Sequence, residues 1–301
     1  MLINKANLTA VFLNLKTTFN KAFEAAPARW PKIAMRVPST SKANSYDWID
    51  RFPKMKEWLG DKTVKALKAH NYTIVNRPFE ATVGVHRDDI EDDELGIYGP
   101  MAQDAGFSGK QWPDEMIADL VNGAFTQTGY DGQYFYDTDH EVNGESISNK
   151  GTAALSAATL TAAENSYGAA RAAIMNMKDD EGRPLNLVPD TLHVPPALEA
   201  TAKLLVEGDY LVDGSSNPYK GTATVEVDPR ITDSSYWFLH VTTRPVKPFI
   251  FQERKSPVFV SQTDMEADDV FNRGIYKFGA EARGNAGYGL WQMSYGSTGA
   301  G

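Results

Sequence analysis

The 301-residue chain contains no cysteine. That excludes a disulfide framework, thiolate metal sites and cysteine nucleophiles together, so packing alone holds the fold, within one subunit or between many. Long apolar runs are missing too. No stretch approaches the roughly 18 uninterrupted apolar residues of a membrane-spanning helix. Asn7, Thr9, Asn14, Lys16 and Thr18 interrupt the apolar residues near the N-terminus, which does not read as a secretion signal. Positive charge is in deficit: 30 Lys and Arg stand against 39 Asp and Glu, a formal net charge of -9. A protein that coats DNA needs the opposite balance. What is present is ordinary globular composition, 42% hydrophobic and 23% charged, which excludes wholesale disorder. The expectation is a soluble protein made in a reducing cytoplasm.

Leu8, Val11, Phe12, Leu15, Phe19 and Phe23 recur at helical spacing until Pro27 and Pro31 end the run. Such a stripe docks on its own domain or reaches as an arm onto a partner subunit. Ile33 to Val37 reads as a strand. The return strand is clearer, because Phe79, Ala81, Val83 and Val85 alternate with polar residues or glycine. Between them, the segment from Trp48 to Gly60 mixes aromatic and charged residues without a period and reads as a long excursion. The acidic run Asp88 to Glu94 leads into one long or interrupted helix with Met116, Ile117, Leu120 and Val121 on one face. Thr161 and Glu164 have the spacing of a capping box. Thr191 to Val194 reads as a buried strand, Pro195-Pro196 as a turn into a helix over Ala197 to Val206, and the remainder mostly as strands. Phe249 to Phe251 and Val258 to Val260 appear as two of these.

Candidate chemistry is sparse. Gly106 to Gln111 lacks the G-x-x-x-x-G-K-[ST] spacing of a phosphate loop, and no G-x-S-x-G or H-E-x-x-H occurs. Asp137, Asp139 and His140 are the best local metal candidates, although Val142 stands where a calcium loop needs glycine. The plainer reading is a polar turn whose carboxylates accept backbone N–H groups. Gly284 to Gly289 lacks the dinucleotide-binding order and reads as glycine serving tight turns. No catalytic, cofactor-binding or metal-binding residue is assigned, no cofactor is expected, and the protein is not read as an enzyme.

Several short motifs, in order along the chain, resemble the Mu-like phage major head subunit family, the gpT group. They are Phe79-Glu80-Ala81-Thr82-Val83, Arg87 to Asp93 with Leu95-Gly96, and Tyr130-Asp131-Gly132-Gln133 with Phe135 and His140. Leu192-His193-Val194-Pro195-Pro196, Asn217-Pro218, Trp237-Phe238-Leu239 and Lys247-Pro248-Phe249-Ile250 follow, then Gly287-Tyr288-Gly289 and Trp291-Gln292. Each is weak alone; their collinearity is specific.

The resemblance implies an α+β, Hong-Kong-97-like capsid fold in five parts. These are an N-terminal arm (1–32), an E-loop hairpin (33–86), a peripheral domain with a spine helix (87–154), an axial domain (155–241) and return strands to the peripheral domain (242–301). It implies a major capsid protein that assembles with itself into hexamers and pentamers of an icosahedral shell around double-stranded DNA. No sequence-specific DNA contact and no membrane are expected. Expected partners are a separate scaffold protein, a portal and decoration proteins; the location is the virion, after assembly in the host cytoplasm. Leu8, Val11, Phe12, Leu15, Phe19, Trp48, Phe52 and Trp58 are the candidate subunit-interface residues, since large apolar side chains at an interface bury much area. Alternatives are another phage structural part, such as a tail or decoration protein, or a metal-dependent hydrolase built on Asp137, Asp139 and His140.

Overall fold

The computed structural model describes residues 5–46, 72–92, 98–179 and 181–301. The apolar stripe at the start forms the helix Lys5–Ala25. It is spent inside the chain: Leu8, Phe12, Leu15 and Phe19 are buried, and Val11 packs beside them. The Phe12 ring lies 6.3 Å from both Tyr276 and Phe278, and Phe19 lies 5.6 Å from Phe259. At about 1.5–3 kcal/mol for each fully buried large apolar side chain, this helix is part of the subunit's own core. These side chains, expected at a subunit interface, lie against their own chain. Trp48, Phe52 and Trp58 lie outside the described residues.

The acidic run opens the short helix Arg87–Glu91, and the long helix is Tyr98–Gly123. Pro113 sits inside it; its missing N–H leaves unmatched the carbonyl of Gly109, four residues earlier. Gly106 to Gln111, the phosphate-loop lookalike, is wholly helical. Gly106 has another role. A Cβ there would fall well inside contact with the Phe19 carbonyl oxygen and 3.1 Å from Ala22 Cβ, so glycine lets the two helices approach.

Beneath these helices lies a four-stranded sheet in the order Ala34–Pro38, Phe249–Gln262, Ile275–Tyr288, Arg77–His86. The first pair is parallel and the others antiparallel. The sequence suggested two short strands where Phe249–Gln262 runs unbroken, because register shifts at Glu253/Lys255 and Lys255/Val258 absorb the polar stretch as bulges. The glycines of the last long strand serve close approach rather than turns: a Cβ on Gly287 would meet Ile74 Cγ1 and the Tyr72 hydroxyl at 2.8 Å.

A second sheet has five strands in the order Lys150–Gly151, Ser294–Ser297, Trp237–His240, Thr191–Val194, Thr224–Val227. Two of its three interior strands, Trp237–His240 and Thr191–Val194, are buried throughout, as sheets covered on both faces require. One cover is the helical run from Leu160 to Met175, which contains a π turn at Glu164–Gly168. Its cap is Thr159, whose hydroxyl accepts the Ala162 N–H at 3.2 Å, so the Thr161–Glu164 capping box is corrected. A 3₁₀ turn, Pro196–Leu198, precedes the helix Glu199–Glu207. The chain's final strand, Ser294–Ser297, joins this second sheet, so not all of residues 242–301 returns to the first. The hairpin His140–Val142 and Glu145–Ile147 was read as loop. Its signal was Asn143-Gly144, both at positive φ (53° and 79°), the pair that two-residue hairpin turns favour.

Candidate assembly site and its anchoring clusters

Ala43–Ser45 and Thr73–Val75 form an antiparallel pair, the base of the hairpin expected within residues 33–86. Side chains fix its base from below. Tyr46 Oη donates to Gln252 Oε1 (2.7 Å); Gln252 Nε2 donates to the Ile74 carbonyl (3.0 Å) and Asn76 Oδ1 (2.8 Å). Asn76 Nδ2 in turn donates to Ser39 Oγ (2.8 Å) and the Ser41 carbonyl (2.9 Å). On the other strand the Tyr288 N–H donates to Tyr72 Oη at 2.7 Å. Burial pushes the Tyr46 and Tyr72 hydroxyls up to about 12, so both stay protonated at physiological pH. Gln252 is fully buried next to Phe249, Ile250 and Phe251, and each of its polar atoms has a partner, as such burial demands. The cluster gives the hairpin one defined root.

A second cluster joins the two sheets. Asp114, buried on the long helix, accepts the N–H groups of Arg29 (3.0 Å) and Trp30 (2.6 Å). Burial raises its pKa, and those two N–H groups act against the rise. Asn122, one face further along, donates Nδ2 to the Arg230 carbonyl (2.9 Å) and accepts the Thr232 N–H (3.0 Å). Asp228 accepts the Arg230 N–H at 2.9 Å and lies 3.7 Å from His193 Nε2. Behind His193 stand His240 (3.4 Å), Ser294 (2.8 Å from His240 Nδ1) and Tyr136 (2.6 Å from Ser294 Oγ). These partners were not singled out as a group in the sequence, because they are scattered from Asp114 to Ser294.

The metal candidates do not converge. His140 is fully buried while Asp139 is exposed. The His140 ring stacks on Trp291 (centroids 4.0 Å apart, planes 8°), with Nδ1 on Asp131 Oδ2 (2.6 Å) and Nε2 on Asn149 Oδ1 (3.1 Å). Asp137 accepts the N–H groups of Thr138 (2.8 Å) and Tyr134 (3.3 Å), the polar turn of the plainer reading. Among the described residues no group of three or more ligand-type side chains is arranged to hold a metal ion.

Apolar side chains that face outward occur at the periphery: Phe271 (83% exposed), Val212 (72%) and Leu13 (61%), the last on the outer side of the N-terminal helix.

A sequence profile described as "Mu-like prophage major head subunit gpT" matches residues 8–159, 152–231 and 230–300. The "Major capsid protein" of Escherichia phage Mu is 33% identical over 294 residues, covering 98% of this chain and 74% of that protein. Among solved structures, the procapsid of bacteriophage JBD30 aligns with a TM-score of 0.62 and 28% identity, over 98% of this chain and 76% of that one. The JBD30 capsid "decorated with minor capsid protein trimers" gives 0.61 and 28%, over 71% and 93%.

The mixed α+β architecture is therefore that of a phage capsid subunit, a structural protein and not a member of an enzyme family. The chain belongs to the Mu-like prophage major head subunit gpT family, and its function is that of a major capsid protein of a Mu-like phage, a component of the virion.

Proposed function

We propose that the subunit assembles with itself into hexamers and pentamers of an icosahedral shell that encloses double-stranded DNA, with no catalytic turnover. In this reading, residues 33–86 are the E-loop, and its root is the observation that carries the proposal. A buried polar clamp on Gln252 fixes Tyr46, Ile74 and Asn76 on either side of residues 47–71, as a loop that must meet a neighbouring subunit in a defined register requires. Trp48, Phe52 and Trp58 supply its apolar contacts. Residues 87–154 form the peripheral domain with Tyr98–Gly123 as spine helix, and residues 155–241 the axial domain. Residues 242–301 supply the return strands, except that Ser294–Ser297 closes the axial sheet. The first 32 residues act as an arm whose inner face is part of the core, with Leu13 available on the outer face.

Several interfaces of modest size per subunit sum to a stable lattice. Net charge -9 suits a container that must not hold its contents by phosphate contacts. A separate scaffold protein, a portal and decoration trimers like those named for the JBD30 capsid complete the assembly, in the host cytoplasm. Negative-stain microscopy and size-exclusion chromatography of the purified protein, alone and with scaffold, test this. Closed shells support it; a monomer under every condition refutes it, and tubes or isolated trimers transfer the protein to a tail or decoration role.

A further inference from the structure

Arg77–His86 is an outer strand of the four-stranded sheet, paired on one side only, with Ile275–Tyr288. Pro78 tells which backbone groups face the other side. It has no N–H to exchange, so its pair with Arg283 is a non-hydrogen-bonded one, and Pro78, Glu80, Thr82, Gly84 and His86 turn their backbone groups outward. The inner side agrees: a Cβ on Gly279 would run into the Ala81 carbonyl oxygen, which therefore points at the neighbouring strand. Among the described residues no backbone group pairs with the outward side of Glu80, Thr82 or Gly84. An open groove of about 380 Å³ runs beside this edge, between Ala81–Val83 and one stripe of the long helix, Met101, Asp104, Ala105 and Ser108.

Soluble monomers guard such an edge with lysine, a bulge or a covering loop. From Phe79 to His86 there is no lysine, and the ladder with Ile275–Tyr288 runs without a register shift. The strand is also its own complement. An antiparallel second copy must set outward residues opposite outward residues, which leaves few symmetric registers. Proline in a sheet keeps its ring side to solvent, so registers centred on Ala81 or Thr82, which set Pro78 against Gly84 or His86, are excluded. The longest one left is centred on Val83. There Glu80 faces His86 and Thr82 faces Gly84, twice each, in about six hydrogen bonds that do not call on the His86 carbonyl at the start of the helix Arg87–Glu91. On the solvent face this sets a carboxylate across from an imidazole, and no like charges meet. On the other face half-buried Val83 meets its own copy, and exposed Ala81 meets Val85.

We propose that this edge joins two subunits: Arg77–His86 pairs antiparallel with the same strand of a second copy, symmetrically about Val83, and merges the two sheets into one. The inference deepens the self-assembly reading and rests on it. It adds a twofold contact whose specificity lies in register, with Met101, half-exposed at the rim of the groove, covering the seam.

The absence of native cysteine makes the test direct. Residues opposite each other in a non-hydrogen-bonded pair have Cα atoms about 4.5 Å apart, within reach of a disulfide. Val83→Cys in the full chain, mildly oxidised under assembly conditions, should therefore run mostly as a covalent dimer on a non-reducing gel. Ala81→Cys is more exposed but about 13 Å out of register with its counterpart, and its dimer yield should be lower by about tenfold or more. Thr82→Pro, which removes an outward N–H and leaves the inner ladder intact, should lower the Val83→Cys dimer about tenfold without changing the circular dichroism spectrum. No dimer from a folded Val83→Cys subunit, equal yields from the two cysteines, or a dimer that survives Thr82→Pro undiminished overturns the proposal. Shells that form without the Val83→Cys cross-link refute this pairing and spare the assembly reading, whereas cross-linked dimers that never close into shells do the opposite.

Discussion

Two glycines one turn apart in the same helix should respond to the same substitution with opposite sign. Gly→Ala inside a helix normally stabilises by up to about 1 kcal/mol, because alanine loses less backbone freedom. At Gly109 the new Cβ would meet Pro257 Cβ at 3.4 Å and the Phe23 and Phe19 rings at 3.7 and 3.8 Å, which is ordinary van der Waals contact. Gly109→Ala should therefore keep the gain, about 0.5–1 kcal/mol. At Gly106 the Cβ would press on the Phe19 carbonyl, with Ala22 Cβ and Phe23 N at 3.1 Å. Two of these are backbone atoms of a packed helix, so relief requires the helices to separate by several tenths of an ångström. Overpacking of that kind costs about 1–3 kcal/mol. Separation also thins the contacts of Phe12 and Phe19 with the sheet, since even a small gap forfeits a good part of the dispersion attraction. The cost exceeds the propensity gain, and Gly106→Ala should destabilise by about 1–2 kcal/mol. Urea denaturation of the unassembled subunit, followed by circular dichroism, reads both. A midpoint that rises for Gly106→Ala as it does for Gly109→Ala would falsify the close helix–helix contact.

Phe12→Ala should cost about 3–5 kcal/mol, whereas Leu13→Ala, on the exposed side of the same helix, should change subunit stability by less than about 0.5 kcal/mol; paired urea melts check this. Removing residues 1–26 should accordingly unfold the four-stranded half of the subunit, and near-native thermal stability of that truncation would refute the docking. Gln252→Leu removes the acceptor of the Tyr46 hydroxyl and the donors to the Ile74 carbonyl and Asn76 Oδ1, and should destabilise by about 1–3 kcal/mol and raise exchange at Thr73–Val75 first. The pH dependence has a definite sign. Folded His240 resists protonation while the unfolded side chain titrates near 6.5, so the unfolded state binds more protons below that pH. Stability should fall by about 1.4 kcal/mol per unit as pH drops beneath it, and His240→Gln should flatten the slope in acid denaturation curves.

Elements with one buried and one exposed face were legible in the sequence. Phe79, Val83 and Val85 do turn inward along Arg77–His86, and the first helix was placed by its stripe. What periodicity could not supply was the identity of the covering surface. Leu8 and Phe12 read the same whether Phe278 of their own chain or another subunit lies over them. Long elements with polar interruptions were also opaque, because bulges preserve a ladder across residues such as Glu253 and Lys255 that a local reading treats as a break. The polar clusters escaped for a different reason. Gln252 among phenylalanines and a histidine in each of two buried strands look like ordinary noise until strand order sets them beside Tyr46, Asn76 and Asp228.

The root of the hairpin has a mechanical consequence. The Tyr46 N–H donates to the Tyr72 carbonyl at 2.9 Å, so the segment between them begins and ends at one point. Any tension that another molecule applies to it enters the subunit at that point instead of prying two distant strands apart. Through Gln252 the load reaches the interior strand Phe249–Gln262, flanked by a parallel ladder with Ala34–Pro38 and a long antiparallel one with Ile275–Tyr288. A pull directed along those strands is shared by many hydrogen bonds at once, in shear, rather than broken one bond at a time as in unzipping. The subunit is thus braced where a neighbour's grip would be felt.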